Sequence, residues 1–192
     1  GGEPQILNFK DIPTSLEIGD GTVIREYVTI HRSGFENGVT KVGKSCLIMA
    51  YSHVGHDCEI GNEVVIVNST ALSGHVIVED KAFISGLVGV HQFVRIGRNA
   101  MVGGMARVNQ DIMPFSTVEG NPARLYSANT VGLKRANFKP EVRVAIKKAL
   151  NVIAQTELNT KQAVEKIKVE IEMFDEIKYL IDFIENSSRG VT

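Results

Sequence analysis

From Ile18 to Val108 an aliphatic residue falls on every sixth position, and Glu36 alone breaks the series. A period of six fits neither the 3.6-residue turn of a helix nor the two-residue alternation of an isolated strand. It is the hexapeptide signature of a parallel β-helix. Three hexads make one coil of a three-sided solenoid, so residues 18 apart stack, with roughly 4.8 Å between neighbouring strands. Glycine follows the aliphatic at Gly19, Gly43, Gly55, Gly61, Gly97 and Gly103. Because glycine adopts backbone angles that other residues avoid, the chain is expected to turn there and to point the next residue outward at a corner.

The repeat occupies residues 16–113, after a lead-in at 1–15. The stretch from His31 to Lys41 keeps phase, since Ile30 and Val42 are twelve apart, and reads as a loop that replaces two hexads. Excursions of this kind often carry function. Residues 114–138 contain Pro114, Gly120, Asn121 and Pro122 and read as an irregular connector. From 139 to 192 the period becomes helical. Pro140 suits a first helical position, and Val142, Ile146, Ala149, Leu150 and Ile153 form one stripe. Ala163, Val164, Ile167 and Ile171 form a second, and Ile177, Leu180, Ile181 and Ile184 a third. Cys46 and Cys58 each follow a repeat aliphatic by four residues, where Thr22, Ser52, Thr70 and Ala82 stand in other hexads, so they read as buried fillers and not as a disulfide. A net charge of −1 excludes a chain that binds nucleic acid as a bulk polycation. No signal peptide and no apolar run of membrane length is evident, so a cytoplasmic location is expected. Gly1 to Pro4 carry no initiator Met, and the chain is expected to be a fragment or a trimmed form.

Four of the five histidines lie in the repeat. By the 18-residue rule His56 lies under Gly74 and Gly74 under Gln92, while Asp57 lies under His75 and Ser73 under His91. One edge of the prism therefore gathers His56, Asp57, Gly74, His75, His91 and Gln92 over about 10 Å. Imidazole is the side chain suited to proton transfer near neutral pH. Adjacent side chains usually point apart, which argues against a direct His56–Asp57 pair. A bare Gly74 N–H one coil above His56 can face a developing oxyanion. No Ser or Cys stands ready as a nucleophile, which favours direct transfer with a general base. His53-x-x-His56 has the spacing of metal ligands, but His53 precedes the repeat aliphatic and His56 follows it, so the two need not converge. Neither a metal nor a cofactor is expected.

Several segments together resemble a known family: IREYVTIHR at 24–32, SHVGHDC at 52–58, ALSGH at 71–75, VHQFVRI at 90–96, MVGG at 101–104, EGN at 119–121 and GLKR at 132–135. They are similar to the UDP-N-acetylglucosamine O-acyltransferases that open lipid A biosynthesis. The resemblance implies a left-handed parallel β-helix followed by a small helical domain, a homotrimer, and active sites in grooves between subunits. It implies transfer of an (R)-3-hydroxyacyl group from acyl carrier protein to the 3-position of the nucleotide sugar. His56 matches the general base, Asp57 the acid beside it and Gly74 the oxyanion donor. His53, His75, His91 and Gln92 match substrate contacts, and Asn129 and Arg135 match residues near the nucleotide. Gly104 matches the position that gauges acyl length, where glycine leaves the groove open. Arg95, Arg98, Arg107, Lys134 and Lys147 offer a basic patch for the acidic carrier protein.

The family pattern also implies about four further coils ahead of this region, with an acidic residue and a lysine directed at the nucleotide. Ala136 stands where family members often place a second arginine. Three other readings stay open: the related N-acyltransferase of the same pathway, a zinc lyase of the carbonic anhydrase type, and an inactive trimeric fragment.

Overall fold

A computed structural model describes residues 1–154 and 157–192. The repeat forms a three-sided prism. Its first face is the parallel sheet β1 (Ser15–Ile18), β4 (Val39–Val42), β7 (Glu59–Ile60), β10 (Ile77–Val78) and β13 (Arg95–Ile96). The second is β2 (Val23–Ile24), β5 (Leu47–Ile48), β8 (Val65–Ile66), β11 (Phe83–Ile84), β14 (Met101–Val102) and β16 (Ser116–Glu119), with β17 (Arg124–Ala128) added antiparallel. The third is β3 (Thr29–Ile30), β6 (His53–Val54), β9 (Ala71–Leu72), β12 (Gly89–Val90) and β15 (Arg107–Val108).

Register confirms the coil length. His53 pairs with Ala71 and Ala71 with Gly89. The first coil alone is offset by 24, with Ser15 opposite Val39 and Thr29 opposite His53. The excursion therefore adds one hexad and does not replace two. Strand pairing resumes at Val39, inside the stretch expected to be loop, so the loop proper is 31–38.

Each hexad turns two residues inward, the repeat aliphatic and the residue four later. Ile48, Val54, Ile66, Leu72, Ile84, Ile96, Val102 and Val108 are fully buried, and Cys58, Val64, Val76 and Val94 fill the second position. Both cysteines are buried free thiols. On the end coil Ile18 and Ile24 stay 43% and 40% exposed.

The glycine expectation fails in its reason. The turning residue, three after the aliphatic, is Tyr51, Asp57, Glu63, Ser69, His75, Lys81, Leu87 or Phe93, all at φ near +60°. The glycine one position after the aliphatic is required by close approach. A Cβ on Gly55 would lie 2.7 Å from the Ser73 carbonyl carbon in the next coil, and one on Gly61 2.5 Å from Asp80 Oδ1.

Residues 114–138 are also more ordered than their breakers suggest. They hold β16, β17 and a short helix α1 (Thr130–Arg135). Helices α2 (Pro140–Ile153), α3 (Thr160–Glu170) and α4 (Asp175–Glu185) follow, with Pro140 in the first turn of α2 and an Asn159–Gln162 capping box on α3. The three expected stripes pack with Met113, Phe115 and Leu133 into a second hydrophobic cluster. Phe115 joins the domains, its ring meeting those of Phe138 and Tyr179. The chain then returns to the solenoid, where Val191 bridges Asp111. Among the described residues no helix is long and apolar enough to cross a membrane.

Candidate functional site

The edge joining the third face to the first gathers the ionisable groups, as stacking requires. The His75 amide donates to the His56 carbonyl at 3.0 Å, and the two rings meet edge to face at 5.1 Å. Asp57 and His56 do pair, contrary to the expectation for neighbours. Asp57 takes φ +59°, and this left-handed turn swings its carboxylate round so that Oδ2 lies 2.7 Å from His56 Nδ1. His75 Nε2 stands 3.8 Å from the same oxygen.

The carboxylate is held from its other side by the loop. The Ser33 hydroxyl donates to Oδ1, and the Gly34 amide donates to Oδ2 at 3.1 Å. Burial pushes the Asp57 carboxyl up, but the Ser33 hydroxyl, the His56 ring and the Gly34 amide outweigh it and hold the group below its ordinary range. An ionised carboxylate accepts hydrogen bonds only, so His56 Nδ1 is the donor, and in the neutral ring the lone pair is on Nε2.

That free edge of His56 lies on Gly74. A Cβ on Gly74 would fall 2.6 Å from His56 Cε1 and 2.7 Å from Nε2, so only glycine leaves room for the ring. No acceptor among the described residues takes the Gly74 amide. A base lone pair and an unshielded N–H thus lie side by side in a recess of about 290 Å³, whose walls include His31, His53, Ser73 and Gln92.

His53 Nδ1 lies 2.8 Å from Thr29 Oγ1, and its ring meets that of His31 at 4.9 Å. Burial, reinforced by neighbouring imidazoles, lowers the pKa of both. Burial is also the main cause lowering His75, although the Asp57 charge opposes it. These rings are therefore neutral donors and acceptors around pH 7. His31 and Ser33 were not among the sequence candidates. Both lie within the excursion, where the offset is 24 and not 18, so the 18-residue rule does not place them over this edge. His75 leaves the recess and stacks on Phe93 at 4.5 Å, with Phe35 from the loop at 5.7 Å. His91, one coil on, also lies outside it and contacts Arg189. His56, Asp57 and His75 bring ligand atoms within 4.8 Å of one another, a set that can hold a metal ion, and His53 is not part of it.

The second face carries a larger cleft of about 740 Å³, lined by Phe83, Met101, Thr117, Tyr126, Asn129 and Arg135 among others. Asn129 is committed locally: Oδ1 accepts from the Gly132 amide at 2.9 Å to cap α1, and Nδ2 donates to the Asn99 carbonyl at 2.8 Å. Arg135 is exposed in the last turn of α1.

The sequence model described as UDP-N-acetylglucosamine O-acyltransferase, domain 2, matches residues 111–192, and that of the bacterial transferase hexapeptide repeat matches 40–74. A relative from Gloeothece citriformis, named acyl-[acyl-carrier-protein]–UDP-N-acetylglucosamine O-acyltransferase, is 52% identical over 88% of this chain and 61% of its own length. One of the same name from Burkholderia mallei is 40% identical over the whole of this chain and 75% of its own. The chain belongs to the UDP-N-acetylglucosamine O-acyltransferase family. Its fold follows the family's solved structures. The UDP-N-acetylglucosamine acyltransferase of Bacteroides fragilis superposes with a TM-score of 0.97 at 41% identity, over all of this chain and 75% of that one. That of Francisella novicida gives 0.94 at 38% identity, over all of this chain and 71% of that one. The chain spans about three fifths of the length of the relatives from Gloeothece citriformis and Synechocystis.

Within this family member the candidates divide by position. His56, Asp57, Gly74, His75, His91 and Gln92 share the edge between the third and first faces, and His53 lies next to it in β6 of the third face. Gly104 follows β14 and so lies near the edge between the second and third. Asn129 and Arg135 lie over the second face, the one face that does not border the imidazole edge. The basic patch is largely spoken for. Arg95 lies over the Phe183 ring at 4.1 Å and Arg98 over the Tyr179 ring at 3.9 Å, both gripping α4, while Arg107 donates to Asn121 at 3.0 Å. Lys134 and Lys147 remain exposed.

Proposed function

We propose that this chain carries the transferase chemistry of its family, moving an (R)-3-hydroxyacyl group from acyl carrier protein to the 3-hydroxyl of UDP-N-acetylglucosamine. One observation supports this above all. His56 Nδ1 faces the Asp57 carboxylate, which selects the neutral tautomer with its lone pair on Nε2, and that nitrogen sits against a glycine whose amide is uncommitted. Nε2 takes the proton of the sugar hydroxyl as its oxygen bonds to the thioester carbonyl carbon. The carbonyl oxygen gathers negative charge toward the Gly74 N–H. Collapse of the tetrahedral adduct breaks the C–S bond, and the proton passes from His56 to the departing carrier thiolate. No covalent enzyme intermediate is required.

The nucleotide end of the acceptor is read as lying against Arg135, whose planar fork suits diphosphate oxygens. A single prism keeps Arg135 and His56 on opposite sides. A second copy laid alongside would supply the missing half, which supports a trimer with shared grooves. The mass in solution tests that arrangement.

The decisive variant is His56→Ala. Transfer from acyl carrier protein to UDP-N-acetylglucosamine is expected to disappear, with the thermal midpoint nearly unchanged because the ring lies outside the core. Retained transfer in a folded variant refutes the reading.

A further inference from the structure

We infer that the excursion loop is a brace for the catalytic pair, and that Ser33 is its positioning residue. The inference rests on the acyltransferase reading and extends it to a residue that touches no substrate.

Ser33 stands three residues after Ile30, where later coils place their turning residue. Here the chain leaves the prism, and the Ser33 side chain is fully buried. Its hydroxyl is used twice. It donates to Asp57 Oδ1 and accepts from the Phe35 amide at 3.1 Å. The Gly34 amide adds a second donor on the same carboxylate, 3.3 Å from Oδ1 and 3.1 Å from Oδ2. The loop is shaped for these contacts. A Cβ at Gly38 would strike the Ser33 hydroxyl, and one at Gly34 would strike Ile6 while crowding Asp57 Oδ2 at 3.3 Å.

The Asp57 carboxylate without the loop would have, among the described residues, only His56 and the more distant His75 to fix it, while Thr40 Oγ1 holds the backbone amide. A carboxylate on a turn can rotate, and Oδ2 would then leave Nδ1. The donors on Oδ1 and Oδ2 hold the carboxylate plane so that one oxygen faces His56. They also favour its ionised form against burial. The chain of contacts runs Ser33 and Gly34, then Asp57, then His56 Nδ1, then the base at Nε2. The orientation of a proton acceptor is thereby fixed from a loop two bonds removed from the chemistry. Phe35, next in the loop, lies over the His75 ring, so three consecutive loop residues meet this one edge.

The test is a double-mutant cycle on the full chain, with kcat and KM for acyl carrier protein thioester and UDP-N-acetylglucosamine measured for wild type, Ser33→Ala, Asp57→Ala and the double variant. Loss of a hydrogen bond to a charged group predicts a fall in kcat of about tenfold or more for Ser33→Ala, with KM within about twofold. In the Asp57→Ala background the same substitution is expected to change kcat by less than about twofold, since its target is gone. A wild-type kcat in Ser33→Ala overturns the inference, and so does an equal loss in both backgrounds, which would mean that the loop acts by some other route. If Ser33→Ala does not fold, Ser33→Cys carries the test. Its weaker donor predicts a partial loss, and full activity overturns the brace. Failure of the transferase reading is seen separately, as retained transfer in His56→Ala.

Discussion

A methyl group at position 74 would land on the His56 ring. The nearest ring atom lies 2.6 Å from the site of that carbon, and ordinary contact begins at 3.4 Å. The ring must therefore retreat by about 0.8 Å, since a packed site has no slack to absorb the overlap. It cannot do so freely, because Nδ1 is held 2.7 Å from Asp57, which the loop holds in turn. A misplacement near 1 Å in a reacting group costs on the order of 10²-fold in rate. Gly74→Ala is thus expected to lower kcat about a hundredfold. Gly74 does not occupy the left-handed region, so the backbone accepts alanine and the protein should still fold. Gly89→Ala is the control. It lies one coil on in the third face, where a Cβ meets nothing within 4 Å. There kcat should hold, and stability should rise by about 0.4–1 kcal/mol through the stiffer unfolded chain. Steady-state transfer and thermal melts of both variants decide the matter. A Gly74→Ala enzyme within about threefold of wild type would refute the claim that His56 works from its observed seat.

Three further outcomes follow from the geometry. Gly104 has only the Gly86 carbonyl at 3.5 Å and Ser85 Cβ at 3.9 Å near its open side. Gly104→Met should therefore shift donor preference to shorter acyl chains in a carrier-protein assay, and unchanged preference would contradict an acyl groove there. His31, His53 and His75 have folded pKa values lowered by burial from 6.5. Neutral rings then favour the fold above pH 6.5, and that contribution is lost as pH falls through the lowered folded values. The thermal midpoint should drop between pH 7 and pH 5, and His53→Gln should flatten the drop. Burial pushes the Cys58 thiol up to about 12. A maleimide at pH 8 should leave Cys58 unlabelled in the native protein and modify it in guanidinium.

The coil was legible because burial leaves a fixed period. Every hexad turns two residues into the prism, so an aliphatic at each sixth position states both the turn and the stacking, and the 18-residue offset then places His56 beneath Gly74. The pairing of His56 with Asp57 was not legible from spacing, because it depends on a φ near +60° at Asp57 that no side-chain type announces. Tyr, Glu, Leu and Phe occupy the same conformation in other hexads, imposed by the coil and not chosen by glycine. The loop braces were hidden for a different reason. One extra hexad shifts the first coil's register from 18 to 24, and without that offset Ser33 and His31 cannot be placed over the coil above. The hairpin of β16 and β17 was masked by turn residues, since Gly120 and Pro122 mark its bend and say little about the strands on either side.

The same local rule, applied on three edges, yields three chemistries. In the middle coils the residue three after each aliphatic takes φ near +60° at a corner of the prism. Between the first and second faces these residues are Ser45, Glu63, Lys81 and Asn99, a polar column. Between the second and third they are Tyr27, Tyr51, Ser69, Leu87 and Met105; the two tyrosines stack at 5.0 Å, and Leu87 and Met105 are 62% and 74% exposed. Between the third and first they are Asp57, His75 and Phe93. None of these side chains belongs to the hydrophobic core of the prism, although Asn99 is buried and its carbonyl accepts from Asn129, so the edges vary more freely than the coil interior. Catalytic precision still comes from the core, because buried aliphatics fix the spacing to which the edges are bound. A cavity in the coil bearing Gly74, made for instance by Leu72→Ala, should cost about 2–5 kcal/mol of stability and loosen the offset between His56 and Gly74. Its activity loss should then exceed that of an equally destabilising Ile146→Ala in α2, whose cluster does not touch this edge. Equal losses would mean that stability alone, and not coil spacing, governs the site.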